Sequence, residues 1–313
     1  MERALELAER GRGTTQPNPV VGAVVVRDGD VVGEGWHERK GEPHAEAHAL
    51  AAAGGRARGA TMYVSLEPCA SWGSTPPCTN ALVDAGIAKV VIGARDPNPN
   101  AAGGLEQLNA AGVETEVLDG ELGFRARQQN EAWRTWVTLG RPFVIYKAAI
   151  TVDSRVTVPG SRWVTGEESR RRVHELRATV DAVAVGTGTV LADDPQLTAR
   201  DVGAAKQPRR IAFGRSALPG GSGLELRSGA LEDELRALAE EGVQSLLLEG
   251  GPTIATSFFG AGLVDKLLLF VAPTIAGSGP RFLGDLDERV SVHRLAIEQV
   301  GQDLLLSGYV NEP

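Results

Sequence analysis

The sequence predicts an α/β protein with two domains, and three observations lead to that prediction. The chain has 313 residues, which is more than one hydrophobic core usually organises. In both halves, short β-branched runs alternate with segments of helical periodicity, as in layered α/β folds. The charged segment 121–139 is predicted to form one amphipathic helix, and Gly140-Arg141-Pro142 interrupts that pattern. We therefore predict domains at residues 1–141 and 142–313.

The individual elements follow from the same patterns. In the first half we predict a hairpin of 21–28 and 31–36 that turns at Gly29-Asp30, helices at 45–54 and 78–85, and strands at 61–66, 89–94 and 112–118. In the second half we predict strands at 142–151, 181–186, 209–214, 244–250, 265–273 and 303–310, and helices at 166–178, 231–242 and 253–260. The alternation favours a largely parallel sheet in the first domain, and the Gly/Ser-rich segment 218–230 is predicted to be a surface loop.

Composition limits the classes of partner. Hydrophobic residues make up 42% of the chain and charged residues 23%, which is the balance of a soluble globular protein. A net charge of −8 argues against sequence-independent binding to nucleic acid. The first residues lack the apolar core of a signal peptide, and the longest apolar runs are too short to span a bilayer. We expect a cytoplasmic protein that binds neither nucleic acid nor membranes.

The two cysteines of the chain, Cys69 and Cys78, lie in one loop. They could be buried small residues, a disulfide, which a reducing cytosol disfavours, or metal ligands. The upstream sequence His44-Ala45-Glu46 favours metal. A zinc-dependent nucleobase deaminase needs three protein ligands, an open position for water, and an acid–base group that is not a ligand. The signature of such deaminases is H-x-E…P-C-x-x-C, in which two residues separate the cysteines. This chain has the same pattern, but eight residues separate its cysteines.

We therefore predict that His44, Cys69 and Cys78 bind one zinc ion per chain and that Glu46 is the catalytic proton shuttle. A zinc protease would need Glu directly after the first His, where this chain has Ala45. His48 lies one turn further along the same helix and is predicted to remain outside the coordination sphere. We assign no chemical role to the other three histidines, which are His37, His174 and His293.

The second half contains two glycine-rich turns that could hold a phosphate. A GxGxxG motif after a first strand is missing, so a Rossmann domain is not supported. Gly186-Thr187-Gly188-Thr189 follows a predicted strand, and Glu249-Gly250-Gly251-Pro252-Thr253 precedes a predicted helix. A helix N-terminus preceded by glycines suits a cofactor pyrophosphate, and a plain strand-to-helix connection is the alternative.

Several motifs together carry a resemblance to a known family. In the first half they are Asn18-Pro19, Val21-Gly22, GEPHAEAHAL at 41–50, and the EPC…TPPC loop; in the second they are Lys147, Asp153, SRWVTG at 161–166, VGTGTVLADDPQLTAR at 185–200 and LEGGPTIA at 248–255. In this order, over nearly the whole chain, the sequence resembles the bifunctional deaminase–reductases of riboflavin biosynthesis. The resemblance implies an N-terminal cytidine-deaminase-like three-layer α/β/α domain followed by a dihydrofolate-reductase-like α/β domain.

The resemblance also implies the chemistry and the ligands. A zinc-dependent deaminase domain would act on 2,5-diamino-6-ribosylamino-4(3H)-pyrimidinone 5′-phosphate, and an NADPH-dependent reductase domain would then convert the ribosyl group to a ribityl chain. The implied cofactor-binding residues are Ile150, Trp163, Thr189, Asp193, Gly251, Pro252, Thr253, Ile254 and Ala255. The implied substrate-binding residues are Asn18, Lys147, Ser161, Arg177, Leu197, Arg200 and Glu249.

Two further expectations concern phosphate recognition and assembly. Because arginine matches phosphate oxygens bidentately, we expect Arg177 and Arg200, with Ser161, to clamp the substrate phosphate. Arg215-Ser216, after a predicted strand, could meet a 2′-phosphate and so favour NADPH over NADH. We also expect a homo-oligomer, with a dimer favoured.

The sequence departs from the family pattern in two places. Ser71-Trp72-Gly73-Ser74 stands where the family carries a His, an aromatic residue or second His, a Gly and a basic residue, and Ser154 stands where a glycine is usual. This leaves open a homologue that acts on a related pyrimidine or purine nucleotide in specialised metabolism. A non-catalytic regulatory protein stabilised by zinc is an alternative from another class. Glu46 argues against it, because a structural site needs no proton shuttle and closes with a fourth ligand.

Overall fold

The computed structural model describes residues 1–72 and 76–313, which form two compact units. One unit contains Met1–Leu139 with Pro313, and the other contains Gly140–Glu312. Each unit is built around its own sheet. Within the described ranges, no helix has both the length and the apolar character needed to cross a membrane.

The first unit is built around a mixed five-stranded sheet in the order β2-β1-β3-β4-β5. Its elements are α1 (Glu2–Glu9), β1 (Gly22–Arg27), β2 (Asp30–Trp36), α2 (Ala45–Ala53), β3 (Thr61–Val64), α3 (Cys78–Ala85), β4 (Lys89–Ile92), α4 (Gly104–Ala110), β5 (Glu114–Val117), α5 (Gly120–Gln129) and α6 (Glu131–Leu139). Strands β3, β4 and β5 are parallel, whereas β1 is antiparallel to both of its neighbours. The expectation of a largely parallel sheet is therefore wrong, because the predicted hairpin supplies two of the five strands.

The alternation of side chains along β1 separates two helical layers. Ala23 and Val25 lie in the cluster that includes the buried alanines of α2 and Leu82 of α3. Val24, on the other face, packs with the apolar residues of α1. The unit is thus a three-layer α/β/α structure, as the resemblance implied.

Helix α2 lies so close to β2 that two strand positions have no room for a side chain. A Cβ on Gly35 would lie 2.5 Å from the Ala45 carbonyl oxygen and 2.5 Å from the Ala49 nitrogen. A Cβ on Gly33 would lie 2.2 Å from the Ala49 carbonyl oxygen. The helix begins at Ala45, directly after His44. The contact between glycine backbone and alanine therefore determines where the start of α2 stands.

The single helix predicted over 121–139 is wrong, because the structure divides it into α5 and α6 at Asn130. The Asn130 side chain accepts a hydrogen bond from the Val20 N–H and donates one to the Val20 carbonyl, both at 2.9 Å. Asn130 is buried and its backbone leaves the helical region, at φ −116° and ψ 27°. The tertiary contact with residue 20 outweighs the local helical pattern.

The second unit is built around an eight-stranded sheet in the order β12-β13-β11-β6-β10-β7-β8-β9. Its elements are β6 (Phe143–Thr151), α7 (Glu167–Thr179), β7 (Ala182–Gly186), α8 (Thr187–Asp193), β8 (Arg209–Phe213), β9 (Glu225–Arg227), α9 (Leu231–Glu240), β10 (Ser245–Leu248), α10 (Pro252–Gly260), β11 (Lys266–Ala272), β12 (His293–Val300) and β13 (Asp303–Tyr309). From β11 to β9 every pairing is parallel, and β13 and β12 add antiparallel strands at one edge.

Several elements differ from those predicted. The segment 218–230 is not entirely a loop, because its residues Glu225–Arg227 pair in parallel with β8. Elements α1, α4, α8 and β12 were not predicted. Strand β12 consists almost entirely of exposed residues, so it lacks the buried alternation from which a strand is usually inferred.

We predict that Gly35→Ala destabilises the protein by about 1–3 kcal/mol, because the added methyl group forces α2 away from β2. The measurement is the free energy of unfolding in urea, followed by circular dichroism. Gly55→Ala is the matched control, since a Cβ there meets nothing within 4 Å. If both variants unfold at the same urea concentration, the close packing of α2 does not limit stability.

Candidate functional sites

The structure brings the three predicted metal ligands of the first unit together. The possible ligand atoms of His44, Cys69 and Cys78 all lie within 4.8 Å of one another. The His44 Nδ1 is 3.3 Å from the Cys78 Sγ and 3.7 Å from the Cys69 Sγ. One imidazole nitrogen and two thiols are a donor set that zinc prefers. Among the described residues, His48 is not part of this group.

Each of these side chains stands at the end of an element or in a loop beside it. His44 is the N-cap of α2, and Cys78 is the first residue of α3, after Pro77. Cys69 follows β3, and its Sγ accepts a hydrogen bond from the Cys78 N–H at 3.3 Å. The start of α3 therefore already stabilises negative charge on Cys69.

The two thiols share one proton. The pKa of Cys69 is lowered to about 4, chiefly because the Cys78 thiol donates a hydrogen bond to it. The pKa of Cys78 is raised, first because of that same hydrogen bond and then because of burial. The first thiolate thus forms readily at neutral pH, whereas loss of the second proton needs a nearby cation such as a metal ion.

Glu46 lies in the first turn of α2 and is 3% exposed. Burial raises its pKa, and the neighbouring His44 opposes that shift. A buried carboxyl with a raised pKa beside the ligand cluster is suited to both accepting and donating a proton.

Glu67 is a second buried carboxylate near this cluster, and the sequence reasoning gave it no role of its own. Its Oε1 accepts the Leu105 N–H at 3.0 Å, and its Oε2 accepts the Asp96 N–H at 3.2 Å and the Arg95 Nε at 3.3 Å. Two residues before Cys69, it ties the cysteine loop to the segment after β4. In the sequence, only its place in the EPC motif, two residues before Cys69, indicated that Glu67 belongs to this site.

His37 is a residue that the sequence reasoning missed. It is 3% exposed, and its ring meets the His44 ring edge-on with centroids 5.3 Å apart. Its Nδ1 is 3.3 Å from the Pro43 carbonyl, and its Nε2 is 3.4 Å from the amide nitrogen of Asn18. Burial lowers the pKa of His37, which favours the neutral imidazole. The predicted substrate residue Asn18 is therefore linked to the ligand cluster through His37.

Two of the departures from the family pattern lie at the edge of this site. The Ser71 hydroxyl donates a hydrogen bond to the Asn100 carbonyl at 2.6 Å, and Trp72 is 74% exposed. Ser74 lies outside the described residues, as do Gly73 and Thr75. The family's imidazole is thus replaced by a hydroxyl that already has a partner within the protein.

In the second unit, three predicted substrate residues form a buried ion-pair cluster. The Glu249 carboxylate accepts hydrogen bonds from the Lys147 Nζ at 3.2 Å and from the Arg177 Nε and Nη2 at 2.6 and 3.0 Å. Burial alone would raise the pKa of Glu249, but Lys147 and Arg177 outweigh it and lower the pKa to about 2. The bidentate partner of Arg177 in the structure is this carboxylate, whereas a phosphate was expected from the sequence.

The two glycine-rich turns lie side by side at the carboxyl ends of β7 and β10, which are parallel neighbours. A Cβ on Gly250 would lie 2.0 Å from the Ile254 Cγ2 and 3.4 Å from the Gly186 nitrogen, so packing within the protein requires glycine there. A Cβ on Gly251 would meet only the Thr189 hydroxyl, at 3.6 Å. The Gly251 N–H donates to that hydroxyl at 3.4 Å, which joins two predicted cofactor residues.

The remaining predicted residues occupy different surroundings. Ile150 and Leu197 are buried, at 6% and 3% exposure, so Leu197 offers a ligand mainly its backbone. Asp193 and Arg200 are exposed, as is the Arg215-Ser216 pair after β8. Ser161 and Trp163 form a local turn in which the Ser161 hydroxyl donates to the Trp163 carbonyl at 2.8 Å. The Trp163 ring lies about 5.0 Å from the Arg162 guanidinium and 5.1 Å from that of Arg170.

Comparison with known protein families matches both parts of the chain. Residues 1–94 match the cytidine and deoxycytidylate deaminase zinc-binding region, and residues 142–306 match the RibD C-terminal domain. The riboflavin biosynthesis protein RibD of Aquifex aeolicus is 40% identical, covering 98% of this chain and 96% of the relative. The protein of the same name from Escherichia coli is 39% identical, covering 90% and 89%.

Solved structures agree over the full length. RibD of Acinetobacter baumannii superposes with a TM-score of 0.84 at 36% identity, covering 98% of this chain and 97% of that one. A Thermotoga maritima diaminohydroxyphosphoribosylaminopyrimidine deaminase/5-amino-6-(5-phosphoribosylamino)uracil reductase superposes with a TM-score of 0.83 at 34% identity, covering 99% and 97%. With both domain matches in order and near-complete coverage, the chain belongs to the RibD family of bifunctional riboflavin biosynthesis enzymes.

Proposed function

We propose that the first unit deaminates 2,5-diamino-6-ribosylamino-4(3H)-pyrimidinone 5′-phosphate and that the second reduces the ribosyl group of the product, 5-amino-6-(5-phosphoribosylamino)uracil, to a ribityl chain. The observation that carries the proposal is the convergence of one imidazole and two thiols beside the buried Glu46. Family membership supplies the substrate class. A reducing compartment such as the cytoplasm keeps both thiols available as ligands. The dimeric state stays a prediction.

The ligand cluster fits one zinc ion. Its donor set is His44 Nδ1 with the sulfurs of Cys69 and Cys78, and three protein ligands leave a fourth position open. When bound, zinc supplies a nucleophile from water near neutral pH. The thiols are prepared for this, because the start of α3 and the shared proton already favour the Cys69 thiolate.

Glu46 moves the protons of deamination. Its carboxyl group is buried next to the ligands, and its raised pKa lets it take a proton from water and deliver it to the pyrimidine or to the departing ammonia. His37 holds Asn18 beside the site, so that the Asn18 amide can orient the base. Glu46 thus acts on the substrate by proton transfer and Asn18 by orienting the base, and neither attacks the substrate covalently.

The second unit holds two ligands at the carboxyl ends of its parallel strands. The N-terminus of α10 and the Thr189–Gly251 contact suit the pyrophosphate of NADPH, which supplies the hydride. Lys147, midway along β6, is paired with Glu249, which directly follows β10, and the two side chains can hold the ribose hydroxyls of the substrate. The Arg177 guanidinium already donates two hydrogen bonds to the Glu249 carboxylate. We therefore assign the substrate phosphate to Arg200, whose side chain is exposed.

A related pyrimidine or purine nucleotide is a second candidate substrate for the deaminase. The observation that favours it is Ser71, whose hydroxyl is engaged with the Asn100 carbonyl where the family carries an imidazole. A coupled assay with the diaminopyrimidinone ribosyl phosphate, with and without NADPH, decides between the two. Ammonia release followed by NADPH oxidation supports the main proposal, and release from another nucleotide alone supports the second.

The first prediction here concerns the metal. Cys69→Ser and Cys78→Ser should each lose zinc and deamination together, because a serine hydroxyl is a poor zinc ligand at neutral pH. Zinc per chain is measured by elemental analysis and deamination by ammonia release. Val83→Ser, an exposed change on α3, is the control. A variant that retains both zinc and normal deamination would show that the ligand set is wrong.

A second prediction concerns Glu46. Glu46→Gln should keep one zinc per chain but lose deamination by a factor of at least about 10²–10⁴, since the amide cannot transfer the proton. Reduction of already deaminated substrate should not change, because Glu46 belongs to the other unit. Both rates are measured on the same preparation. Deamination at the normal rate would exclude Glu46 as the proton shuttle.

A third prediction separates the two ligands of the reductase. Arg200→Ala removes a charge-assisted phosphate contact worth about 1.5–3 kcal/mol, so affinity for the substrate should fall about 10- to 100-fold while NADPH binding changes little. Gly251→Val should have the reverse effect, because its side chain blocks approach of the pyrophosphate but meets only Thr189 in the protein. Dissociation constants for each ligand are measured separately. The opposite pattern would reverse the two subsites.

A further inference from the structure

The loop that carries Leu197 and Arg200 is held in a conformation that its residues do not favour by themselves. Asp194, Leu197 and Asp201 have φ values of 41°, 52° and 61°, in the left-handed region that side chains other than glycine rarely adopt. Such a backbone persists only when its surroundings impose it. Contacts from outside the loop must therefore determine where Arg200 stands.

Three side chains supply these contacts. Gln207 brackets Ala199, accepting its N–H at 2.9 Å and donating to its carbonyl at 2.8 Å. The Arg177 Nη1 donates to the Thr198 carbonyl at 3.1 Å. His174, one turn before Arg177 on α7, places its Nδ1 3.0 Å from the same carbonyl and 3.2 Å from the Arg200 nitrogen.

His174 is the one of the three that touches Arg200 itself. Its Nδ1 can serve only one of its two neighbours at a time. Unprotonated, it accepts the Arg200 N–H; protonated, it can donate to the Thr198 carbonyl and leaves the Arg200 N–H without this acceptor. The neutral tautomer with its proton on Nε2 therefore fixes the Arg200 backbone.

We propose that His174 is a positioning residue of the reductase, whose neutral Nδ1 holds the backbone of Arg200 so that the guanidinium meets the substrate phosphate. The inference rests on the proposed function, because it takes Arg200 as the phosphate contact. His174 itself touches neither substrate nor cofactor. It acts through the loop, and its effect is on substrate affinity rather than on hydride transfer.

The charges around His174 favour the neutral ring. Burial lowers its pKa, and Arg177 and Arg200 lower it further, while the Thr198 carbonyl and Glu249 oppose the shift. The ring is thus neutral at physiological pH and becomes protonated only as the pH falls below the usual range of histidine. Protonation removes the acceptor of the Arg200 N–H and adds a positive charge beside two arginines. Substrate affinity should therefore weaken as the pH falls through this pKa.

The first test is steady-state kinetics of the full-length enzyme with 5-amino-6-(5-phosphoribosylamino)uracil and NADPH. His174→Ala should raise KM for the substrate about 3- to 10-fold, as expected for one lost neutral hydrogen bond, with kcat and KM for NADPH within about 2-fold of wild type. His174→Asn keeps a polar atom near the position of Nδ1 and should restore KM to within about 2-fold. Arg171→Ala, an exposed change on the same helix, is the matched control.

A double-mutant cycle tests whether His174 acts through Arg200. In the Arg200→Ala background, His174→Ala should raise KM by less than about 2-fold further, because the group that it positions has been removed. A full additional 3- to 10-fold effect would mean that His174 supports the fold or the site in another way, and it would overturn the proposal. If Arg200→Ala alone leaves KM unchanged, the assignment of Arg200 fails first. If Arg200→Ala raises KM but His174→Ala does not, only the positioning role fails.

The pH profile gives a readout that does not depend on the alanine variant. In wild type, KM for the substrate should rise as the pH falls, with a midpoint below about 6.5, the usual pKa of histidine, because the pKa of His174 is lowered. In His174→Asn the rise of KM should be smaller, because asparagine does not titrate. The part of the rise that remains reflects protonation of the substrate phosphate. Parallel profiles for the two proteins would overturn the proposal. The unchanged kcat and KM for NADPH report the fold of the unit that contains His174 and are the folding control.

Discussion

The packing of α2 against the backbone of β2 is the contact on which the first site depends. Gly33 and Gly35 have no side chains, and the facing positions of the helix are alanines, so the two backbones approach to a distance that no larger pair allows. His44 and Glu46 stand at the start of this helix. Their distance from the sheet is set by backbone contact, which is stiffer than contact between long side chains. His44 and Glu46 are therefore held at a fixed distance from the sheet.

Buried carboxylates perform a related task in both units. The Glu67 carboxylate accepts hydrogen bonds from backbone N–H groups of the segment after β4. The Glu249 carboxylate accepts hydrogen bonds from the side chains of Lys147 and Arg177. Burying a charge is costly unless it is paired and hydrogen-bonded, and both carboxylates are. Each therefore penalises any movement that would leave it without partners. Elements that are distant in sequence are held together at the two places where ligands are proposed to bind.

The reductase unit combines this rigidity with a strained segment. The loop from Asp194 to Asp201 has an unfavourable backbone that side chains of α7 and Gln207 hold from outside. Strain held by neighbours is one way in which a fold presents a side chain at a defined place. In contrast, the glycine at residue 250 avoids strain, because its missing side chain leaves room for Ile254 and for the adjacent turn. The backbone at Gly250 is thus relaxed, whereas the loop from Asp194 to Asp201 is not.

Local pattern and residue chemistry were enough to predict most elements and the side chains that converge at the candidate metal site. Strands such as β7 and β10 are short β-branched or leucine runs, and α3 begins at Cys78 as predicted. The spacing of His44, Glu46 and the cysteines is characteristic because zinc chemistry restricts the ligand types. These features depend on neighbours in the chain, so the sequence alone determines them.

What the tertiary structure decided depends on contacts between distant residues. The break at Asn130 follows from its pairing with Val20, and β12 is a strand because β13 pairs with it despite its exposed side chains. The burial of His37 against His44 and the pairing of Arg177 with Glu249 arise in the same way. Hydrogen bonds and burial of this kind depend on which elements the fold places side by side, and no local pattern encodes that placement.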